Sequence, residues 1–331
     1  DSDMAENYLL GMDMGTTNIK ANIMDTKGNV IATASRPSHL IFPAANQIEQ
    51  DANEWWDNAK AVFKEITTTA GKEIVENIRG ISISSHVISL LPVDKEGNPV
   101  RNAMIWMDTR SDEELNYITD TLDFVSIVGG QPSTAFLPGK LLWFKKHEPE
   151  AFAKTEKLLQ ANGFINYKLT GEMTIDLDCA SRCQCLDINS LTWSDEIAKV
   201  LDVDFNALLP QPSKITDIIG TVTEEAAAET GLVSGIPVVA GCSDAMASMY
   251  ATGLSQLGEA GESSGTTSLV FVGSPVQSRS DVPVVTKPCA IDGMPYIFDG
   301  PINASGASIK WYLDTFGQAD KEEAEELGIN V

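Results

Sequence analysis

The amino-terminal part of the chain alternates between apolar and polar stretches in a way that predicts β-strands. Tyr8–Met14 is a short, mostly apolar run, and two further runs follow at residues 19–25 and 30–35. The residues between these two runs end in Gly28-Asn29, which is a turn signal, so they predict a β-hairpin. We therefore expect the chain to open with strand, polar loop, strand, turn and strand.

The next segment has the periodicity of an amphipathic helix. Asp51 is a good N-cap residue, and Glu54 three positions later fits a variant of the capping box. Apolar residues then recur at helical spacing and form one face: Trp55, Ala59, Val62, Phe63 and Ile66.

Beyond this helix, predicted strands and helices alternate, which is typical of an α/β fold. Strands are predicted at residues 81–85, 89–94, 104–107 and 237–240, helices at 137–144, 151–159, 163–169, 194–201 and 245–251, and loops at 211–213 and 216–220. From Gly261 the pattern starts again, with a strand at 269–272 and an acidic helix at 321–327.

The length of 331 residues is too great for one average core and indicates two domains. We place the first domain at residues 1–255 and the second at 256–331. Because the second stretch is short for an independent α/β unit, the sequence predicts that the second domain is incomplete.

Composition narrows the class of protein. The chain is 43% hydrophobic and 21% charged, as in an ordinary globular protein. It has no apolar run of the roughly 20 residues that span a bilayer, and residues 1–7 lack signal-peptide character. The five cysteines show no paired Cys-x-x-Cys spacing, and three histidines add no zinc pattern. We therefore expect reduced thiols and a cytoplasmic protein.

The formal net charge of −24 argues against nucleic acid or an anionic membrane as a partner. The same field repels nucleotides. Any bound phosphate must therefore be held by local groups, such as backbone N–H groups, a lysine or a metal ion.

A short polar loop occurs twice, at Gly15-Thr16-Thr17 and at Gly265-Thr266-Thr267. Glycine lets backbone N–H groups approach a phosphate, and threonine adds a hydroxyl donor. Two such loops facing each other would clamp the phosphates of a nucleotide. The alternative is coincidence, because the tripeptide is common.

Two aspartates lie where predicted strands end. Asp13 precedes the first loop, where a carboxylate would organise Mg²⁺ through water; the alternative is a turn-capping aspartate. Asp244 lies between a strand and a helix, where a carboxylate accepts the proton of an attacking hydroxyl group in phosphoryl transfer. The alternative for Asp244 is a plain helix N-cap.

Further polar and aromatic residues lie at strand ends, where ligands bind in α/β sheets. His86 follows one strand, and Trp106, Asp108 and Arg110 follow another. An indole stacks on a sugar, and a carboxylate and a guanidinium group bind its hydroxyl groups. The alternatives are core packing for Trp106, a surface ion pair for Asp108 with Arg110, and a structural role for His86.

Taken together, these motifs resemble the FGGY carbohydrate kinase family of the actin-like ATPase superfamily. The resemblance runs through essentially the whole chain, with the motifs in family order. Residues 8–20 resemble the family's first phosphate loop, and residues 48–51 with Trp55-Trp56 resemble its Glu-Gln-Asp…Trp signature. Residues 106–110 resemble its Trp-x-Asp-x-Arg segment, and residues 140–143 and 166–171 resemble two further stretches. Residues 241–244 resemble the catalytic-aspartate loop, 265–268 resemble the second phosphate loop, and 306–311 resemble a segment of the nucleotide cleft.

The resemblance implies an α/β fold with two ribonuclease H-like domains, in which mixed sheets are flanked by helices. It implies ATP and Mg²⁺ as cofactors, a sugar bound mainly by the first domain, ATP bound mainly by the second, and a homodimer as a family-level expectation. The resemblance implies that Asp244 is the base and that Asp13 binds the metal ion. The residues implied to bind the sugar are His86, Val87, Trp106, Asp108, Arg110 and Asp244. Those implied to bind the phosphates of ATP are Thr16, Thr17, Asn18, Lys20, Thr266, Gly306 and Lys310.

The sequence departs from the family pattern at the predicted sugar site. Xylulokinases usually carry Gln-Met-His where this chain has His86-Val87-Ile88, and glycerol kinases carry a Gln where Ala245 follows Asp244. We therefore expect a xylulokinase-like kinase of a ketose, with a kinase of a sugar acid or polyol (gluconate-like) as the alternative. A non-catalytic actin-like nucleotide-binding protein and a sugar-binding remnant are the alternatives outside catalysis.

Overall fold

The structure, a computed structural model, describes residues 6–264, 268–277, 285–291, 293–302 and 305–329. The chain divides into two units, 1–247 and 248–331. Each unit is described by itself.

The first unit contains a series of mostly short strands within its described residues. In chain order they are β1 (Tyr8–Met14), β2 (Asn18–Asp25), β3 (Val30–Pro37), β4 (Ile41–Ala44), β5 (Gln47–Gln50), β6 (Ile78–Ser85), β7 (Leu91–Val93), β8 (Ala103–Met104), β9 (Lys157–Leu159), β10 (Ile175–Asp176), β11 (Leu186–Asp187), β12 (Thr192–Trp193), β13 (Pro212–Ser213), β14 (Ile218–Thr221), β15 (Pro237–Val239) and β16 (Cys242–Ser243).

Helices connect and flank these strands. They are α1 (Ala52–Ala70), α2 (Lys72–Glu76), α3 (Asp112–Thr121), α4 (Phe124–Val128), α5 (Leu137–His147), α6 (Pro149–Ala153), α7 (Ala161–Thr170), α8 (Leu177–Arg182), α9 (Asp195–Leu201), α10 (Phe205–Leu208), α11 (Glu224–Thr230) and α12 (Asp244–Ala251), the last of which continues into the second unit.

A mixed sheet in the order β14-β15-β6-β1-β2-β3 forms the centre of the first unit, and β16 also pairs with β6. The strands β1, β2 and β3 are antiparallel neighbours, whereas β6 runs parallel to β1, and β15 and β16 run parallel to β6. The predicted hairpin and the predicted mixed sheet are both confirmed. The parallel strands direct their carboxyl ends to one edge of the sheet.

Alternation along β1 explains which face of the sheet is buried. Leu10, Met12 and Met14 are buried on one face, whereas Gly11 and Asp13 lie on the other and are half-buried. Helix α1 packs against β2 and β3, and its predicted apolar face is buried throughout. Asp51 caps α1 by accepting the N–H of Asn53, as predicted. The predicted capping box is not formed, because Glu54 bonds to His39 instead.

Three predicted elements are wrong. Residues 211–213 were expected to be a loop, but they contain β13, which pairs with β10 through Ile175 and Pro212. Residues 151–159 were expected to be one helix, but α6 ends at Ala153 and β9 follows, paired with β7 through Leu91 and Leu159. Residues 216–220 were expected to be a loop, but β14 pairs with β15 at the sheet edge. All three errors come from pairing with strands distant in sequence, which a local pattern does not contain.

The second unit has an antiparallel sheet followed by two helices. Its strands are β17 (Ala260–Ser264), β18 (Ser268–Ser274), β19 (Val285–Ile291) and β20 (Met294–Ile302), in the order β17-β18-β20-β19. Its helices are α13 (Ser305–Thr315) and α14 (Gln318–Leu327). The predicted strand at 269–272 and the predicted helix at 321–327 are confirmed. Within the described part of the chain, none of the helices combines the length and apolarity of a bilayer-spanning segment.

Candidate active site

The carboxyl ends of three parallel strands bring the key side chains together. In the register of the sheet, Asp13 on β1 pairs with Ser84 on β6, and Ser84 pairs in turn with Cys242 on β16. Because neighbouring strands lie about 4.8 Å apart, the backbones of Asp13 and Cys242 are about 10 Å apart, with Ser84 between them. Asp244 comes directly after β16, two residues beyond Cys242. The edge of an α/β sheet where parallel strands end is the usual position of a ligand site.

Gly241 makes this arrangement possible. Its φ is +80°, and a Cβ atom at this position would lie 2.1 Å from the carbonyl oxygen of Ile83. No other residue fits so close to the neighbouring strand. The break at Gly241 separates β15 from β16 and lets the chain rejoin β6 immediately before Asp244.

Asp244 is the first residue of α12 and is exposed. Its carboxylate accepts the N–H of Ala245 at 2.7 Å. The pKa of Asp244 is raised, mainly because the surrounding protein limits hydration of the carboxylate, while the N–H of Ala245 and the charge of Arg182 oppose this rise. An accessible carboxylate with a raised pKa is a stronger proton acceptor than an ordinary aspartate.

Asp13 lies half-buried at the same edge. Its Oδ1 atom accepts the hydroxyl of Ser84 at 2.8 Å, and Lys20 is its direct cross-strand partner on β2. The pKa of Asp13 is raised mainly by burial; the bond from Ser84 opposes the rise, and the negative charge of Asp244 adds to it. The Oδ2 atom faces the loop, since a Cβ atom at Gly15 would lie 3.6 Å from it. A carboxylate oxygen directed at a phosphate loop fits a hard divalent cation such as Mg²⁺.

The backbone of the loop between β1 and β2 is held in place by hydrogen bonds that its carbonyl oxygens accept. The carbonyl of Met14 accepts the backbone N–H of His86 at 3.0 Å, that of Thr16 accepts Gln50 Nε2 at 2.8 Å, and that of Thr17 accepts the N–H of Ser38 at 2.8 Å. After the loop, Thr17, Asn18 and Lys20 are exposed. The predicted phosphate residues of the first loop are therefore accessible on a backbone that the protein holds in place.

A cavity of about 830 Å³ lies on the face of the sheet that carries Asp13. It is lined by Gly11, Met12, Asp13, Lys20, Ala21, Asn22, Met24, Thr33, Ala34, Ser35, Glu65, Ser82, Ser84, Cys242 and Ala247. The predicted metal residue, Asp13, and the predicted phosphate-binding lysine, Lys20, therefore line the same concave surface of the first unit.

Trp106 connects the predicted sugar site to the phosphate loop. Its indole nitrogen donates to the hydroxyl oxygen of Thr16 at 3.0 Å, although the side chain is 42% exposed. The alternative interpretation as a core residue is therefore wrong. An exposed indole held by its nitrogen presents its ring for stacking.

Asp108 and Arg110, by contrast, are buried and engaged within the protein. Asp108 accepts the N–H of Ile48 at 2.7 Å and Arg110 Nε at 2.9 Å, and Arg110 Nη2 donates to Glu49 Oε1 at 2.7 Å. The guanidinium group of Arg110 also lies 4.9 Å from the ring centre of Trp143. The pair is therefore not a surface ion pair, and its bonds favour support of the Trp106 segment over direct contact with a ligand.

His86 is 2% exposed, and both ring nitrogens have partners. Nδ1 lies 2.8 Å from the carbonyl of Met14 and Nε2 lies 3.2 Å from Ser89 Oγ. Since a carbonyl only accepts, Nδ1 carries the proton and Nε2 accepts the Ser89 hydroxyl. Burial lowers the pKa of His86, so the neutral ring is favoured. These contacts favour the structural alternative for His86, whereas Val87 beside it is half-buried.

Two of the predicted nucleotide residues of the second unit, Gly306 and Lys310, lie on helix α13. Gly306 lies in the first turn of α13 and is half-buried. Lys310 is exposed on the same helix and pairs with Asp314 at 2.8 Å. Thr266, with the rest of the second Gly-Thr-Thr loop, lies outside the described residues.

The sequence did not indicate Asp178, which is hydrogen-bonded to Ser243, the residue before Asp244. Its Oδ2 atom accepts the N–H of Ser243 at 3.0 Å, and its Oδ1 atom accepts Arg182 Nε at 2.7 Å. The spacing of Asp178 and Arg182, four residues apart, is a helix ion-pair signal in the sequence, but nothing local connects it to Asp244. Only the fold brings the two segments together.

A family model and several known proteins are similar to this chain. A family model described as the FGGY family of carbohydrate kinases, N-terminal domain, matches residues 8–251. The xylulose kinase of Lactococcus lactis subsp. lactis (strain IL1403) is 28% identical over 313 residues, covering 94% of this chain and 62% of that protein. The glycerol kinase of Beutenbergia cavernae is 27% identical over 342 residues, covering 98% of this chain and 66% of that protein.

Among solved structures, the xylulose kinase from Rhodospirillum rubrum matches with a TM-score of 0.88 and 27% identity over 97% of this chain and 66% of that one. This similarity confirms the predicted ribonuclease H-like, actin-like ATPase fold. The chain spans 62% to 66% of the length of these three proteins.

Proposed function

The chain belongs to the FGGY family of carbohydrate kinases, and we propose that the intact protein transfers the γ-phosphate of ATP to a hydroxyl group of a ketose-type sugar. The observation that carries the proposal is the register of β1, β6 and β16, which sets Asp13, Ser84 and the Asp244 loop side by side. A base and a phosphate-binding loop at one sheet edge are the parts that phosphoryl transfer requires.

Asp244 acts as the base in this proposal. A sugar hydroxyl oxygen attacks the γ-phosphorus in line, the bond to the bridging oxygen of ADP breaks, and Asp244 takes the hydroxyl proton. The raised pKa of Asp244 suits this role, because the carboxylate then holds a proton more readily than an ordinary aspartate. We assign sugar contact to Trp106, which is exposed, and to Val87, which is half-buried. The buried Asp108 and Arg110 are assigned to support of the Trp106 segment.

The phosphates of ATP are assigned to Thr16, Thr17, Asn18 and Lys20 of the first unit, and to Thr266, Gly306 and Lys310 of the second. Asp13 would hold Mg²⁺ through water, and the ion would supply charge neutralisation for the phosphates. Lys20, opposite Asp13 on β2, adds a positive charge at the same edge. This local positive charge offsets the repulsion between nucleotide and a chain of net charge −24.

A coupled assay of ADP release with a panel of pentuloses, hexuloses, aldonates and polyols tests the proposal. We expect ADP release to depend on a ketose, and a response to an aldonate alone would replace the ketose by a sugar acid. Turnover equal with and without every sugar would contradict a sugar kinase and favour an actin-like nucleotide-binding protein.

The role of Asp244 is tested by Asp244→Asn, which removes the proton acceptor while keeping the shape of the side chain. We expect sugar-dependent turnover to fall at least about 100-fold, in the range of lost general-base catalysis. Asp195→Asn is the matched control, since Asp195 also begins a helix behind a capping serine, Ser194, but away from the sheet edge. Near-normal turnover of Asp244→Asn would sink the assignment.

A further inference from the structure

We propose that Asp178 is a positioning residue for the transfer reaction, because its buried carboxylate holds Ser243 and thereby sets the orientation of Asp244. This inference rests on the proposed function, since it concerns the base of that reaction. Asp178 lies on α8, 66 positions before Asp244 in the chain, and reaches it only through the fold.

The contact is made through two groups of Ser243. Asp178 Oδ2 accepts both the backbone N–H and the hydroxyl of Ser243. The hydroxyl oxygen of Ser243 accepts in turn the N–H of Met246 at 3.2 Å, as an N-cap residue does. The hydroxyl group of Ser243 thus donates its proton to Asp178 while its oxygen accepts from the helix. One side chain thereby connects the carboxylate to the first turn of α12.

Asp178 is itself held rigidly. It is 2% exposed, and Arg182 Nε donates to its Oδ1 atom at 2.7 Å from one turn further along α8. The start of α8 is fixed by Asp176, which accepts the N–H of Cys179 at 2.8 Å and the side-chain amide of Asn162 at 2.9 Å. All of these groups are buried, so their hydrogen bonds are costly to break.

Ser243 is thus held from two sides. Its backbone pairs with Ser85 in the parallel ladder between β16 and β6, and Asp178 holds its N–H and its side chain. The next residue is Asp244. Displacement of a reacting group by about 1 Å costs on the order of 100-fold in rate, so fixing the residue before the base has a direct catalytic consequence.

The same arrangement acts electrostatically. Among the described residues, Asp178 and Arg182 from α8 and Asp13 from β1 interact electrostatically with Asp244. The negative charge of Asp178 raises the pKa of Asp244, whereas Arg182 lowers it. Replacing Asp178 by a neutral residue leaves Arg182 as the neighbour on α8. The pKa of Asp244 must then fall.

The test compares Asp178→Asn with Asp176→Asn in the intact protein. The second variant removes a carboxylate of the same buried cluster but keeps the bond to Ser243. We expect Asp178→Asn to lower kcat about 10- to 100-fold with the KM for ATP unchanged, and to move the acid limb of the pH profile of kcat/KM to lower pH. Asp176→Asn should leave the acid limb where it is in the wild type.

A readout without turnover separates this inference from the proposed function. The carboxyl carbon of Asp244 is followed by ¹³C NMR during a pH titration, and its signal is identified by its absence in Asp244→Asn. A lower pKa of Asp244 in Asp178→Asn than in Asp176→Asn supports the inference even if no sugar of the panel is phosphorylated. A panel in which no sugar is phosphorylated would overturn the proposed function but not this inference.

Ser243→Ala and Ser243→Thr decide the case if Asp178→Asn fails to fold. The alanine variant removes the hydroxyl between Asp178 and α12, and the threonine variant keeps it. We expect a loss of kcat in the first variant that the second restores. Wild-type kcat and an unchanged pKa of Asp244 in Asp178→Asn, or wild-type kcat in Ser243→Ala, would overturn the inference.

Discussion

Gln50 Nε2 donates to the carbonyl oxygen of Thr16 at 2.8 Å, while Gln50 Oε1 accepts the indole N–H of Trp55 at 3.1 Å. One buried side chain thereby links helix α1 to the loop between β1 and β2. Glu49, the residue before it on β5, points to the other side and bonds to Arg110. Glu49 and Gln50 therefore connect the loop between β1 and β2 with the segment that carries Trp106.

Replacing Gln50 by leucine should loosen the phosphate loop. The variant leaves the carbonyl of Thr16 and the indole N–H of Trp55 without partners in a buried place, so the free energy of unfolding should fall by about 1–3 kcal/mol. The KM for ATP in the intact protein should rise several-fold, because the loop is less fixed. Urea unfolding and ADP-release kinetics measure the two effects. Gln47→Leu on the same strand is the control, and equal effects in both variants would contradict the role.

The ion pair of Asp108 with Arg110 should be among the most sensitive polar contacts of the first unit. Removing one partner by Arg110→Met leaves the buried carboxylate of Asp108 without this ion pair, while Glu49 keeps its pair with Arg101. We expect a loss of about 3–5 kcal/mol in the free energy of unfolding. Arg36→Met breaks a partly exposed pair with Glu65 and should cost less than about 1 kcal/mol. Denaturant unfolding of both variants measures the difference, and similar losses would contradict the interpretation.

The sequence predicted best the features that depend on local periodicity. The hairpin of β2 and β3 and the buried face of α1 follow from apolar spacing and turn residues, and the structure has both. The strand β9 was missed because Leu158 and Leu159 are buried by pairing with β7, a contact between residues far apart in the chain. Local patterns contain no information on such a partner.

In the candidate site, too, the features set by local sequence were predicted and those set by contacts between distant segments were not. Asp13 and Asp244 were identified because the first lies at the end of an apolar strand and the second follows one, and the parallel register then brings their strands to one edge. The burial of His86 and Asp108 depends on neighbours from other segments, so the sequence suggested sugar contacts for side chains that the fold engages internally. Asp178 was missed for the same reason, since its partner Ser243 is distant in sequence.

Lys140 should give folding stability an unusual pH dependence. The side chain is fully buried on α5 and donates to the carbonyl of Thr134, and burial lowers its pKa to about 7. An unfolded chain binds this proton up to a pH of about 10.4. Between about pH 7 and about pH 10.4 the unfolded chain therefore binds more protons at Lys140 than the folded protein does. The contribution of Lys140 to the free energy of unfolding thus rises with pH.

Lys140→Met removes this titration. Below pH 7 the wild type bears the full cost of a buried cation, so the variant should be the more stable one. From pH 7 to 10 the free energy of unfolding of the wild type should rise relative to the variant by up to about 1.4 kcal/mol per pH unit. Urea unfolding at pH 6, 7.5 and 9 measures the slope. Lys95→Met, at an exposed position, should run parallel to the wild type, and a parallel curve for Lys140→Met would contradict the prediction.

Gly241 and Gly171 form a matched pair for testing the close approach that places Asp244. Both have φ near +80°, but a Cβ atom at Gly171 meets no heavy atom within 4 Å, whereas one at Gly241 would lie 2.1 Å from the carbonyl oxygen of Ile83. Gly171→Ala should therefore cost only the left-handed backbone term of about 1–2 kcal/mol. Gly241→Ala adds a clash with the backbone of β6, so β16 must move away from that strand.

We expect Gly241→Ala to lower the free energy of unfolding by about 4 kcal/mol or more, which is exceptional for one added methyl group. Because β16 leads into Asp244, the variant should also lose sugar-dependent turnover under conditions where it remains folded. Thermal unfolding of both alanine variants, with turnover measured well below each midpoint, separates the two effects. Equal stability losses in Gly171→Ala and Gly241→Ala would show that the approach to Ile83 does not constrain the path of the chain into Asp244.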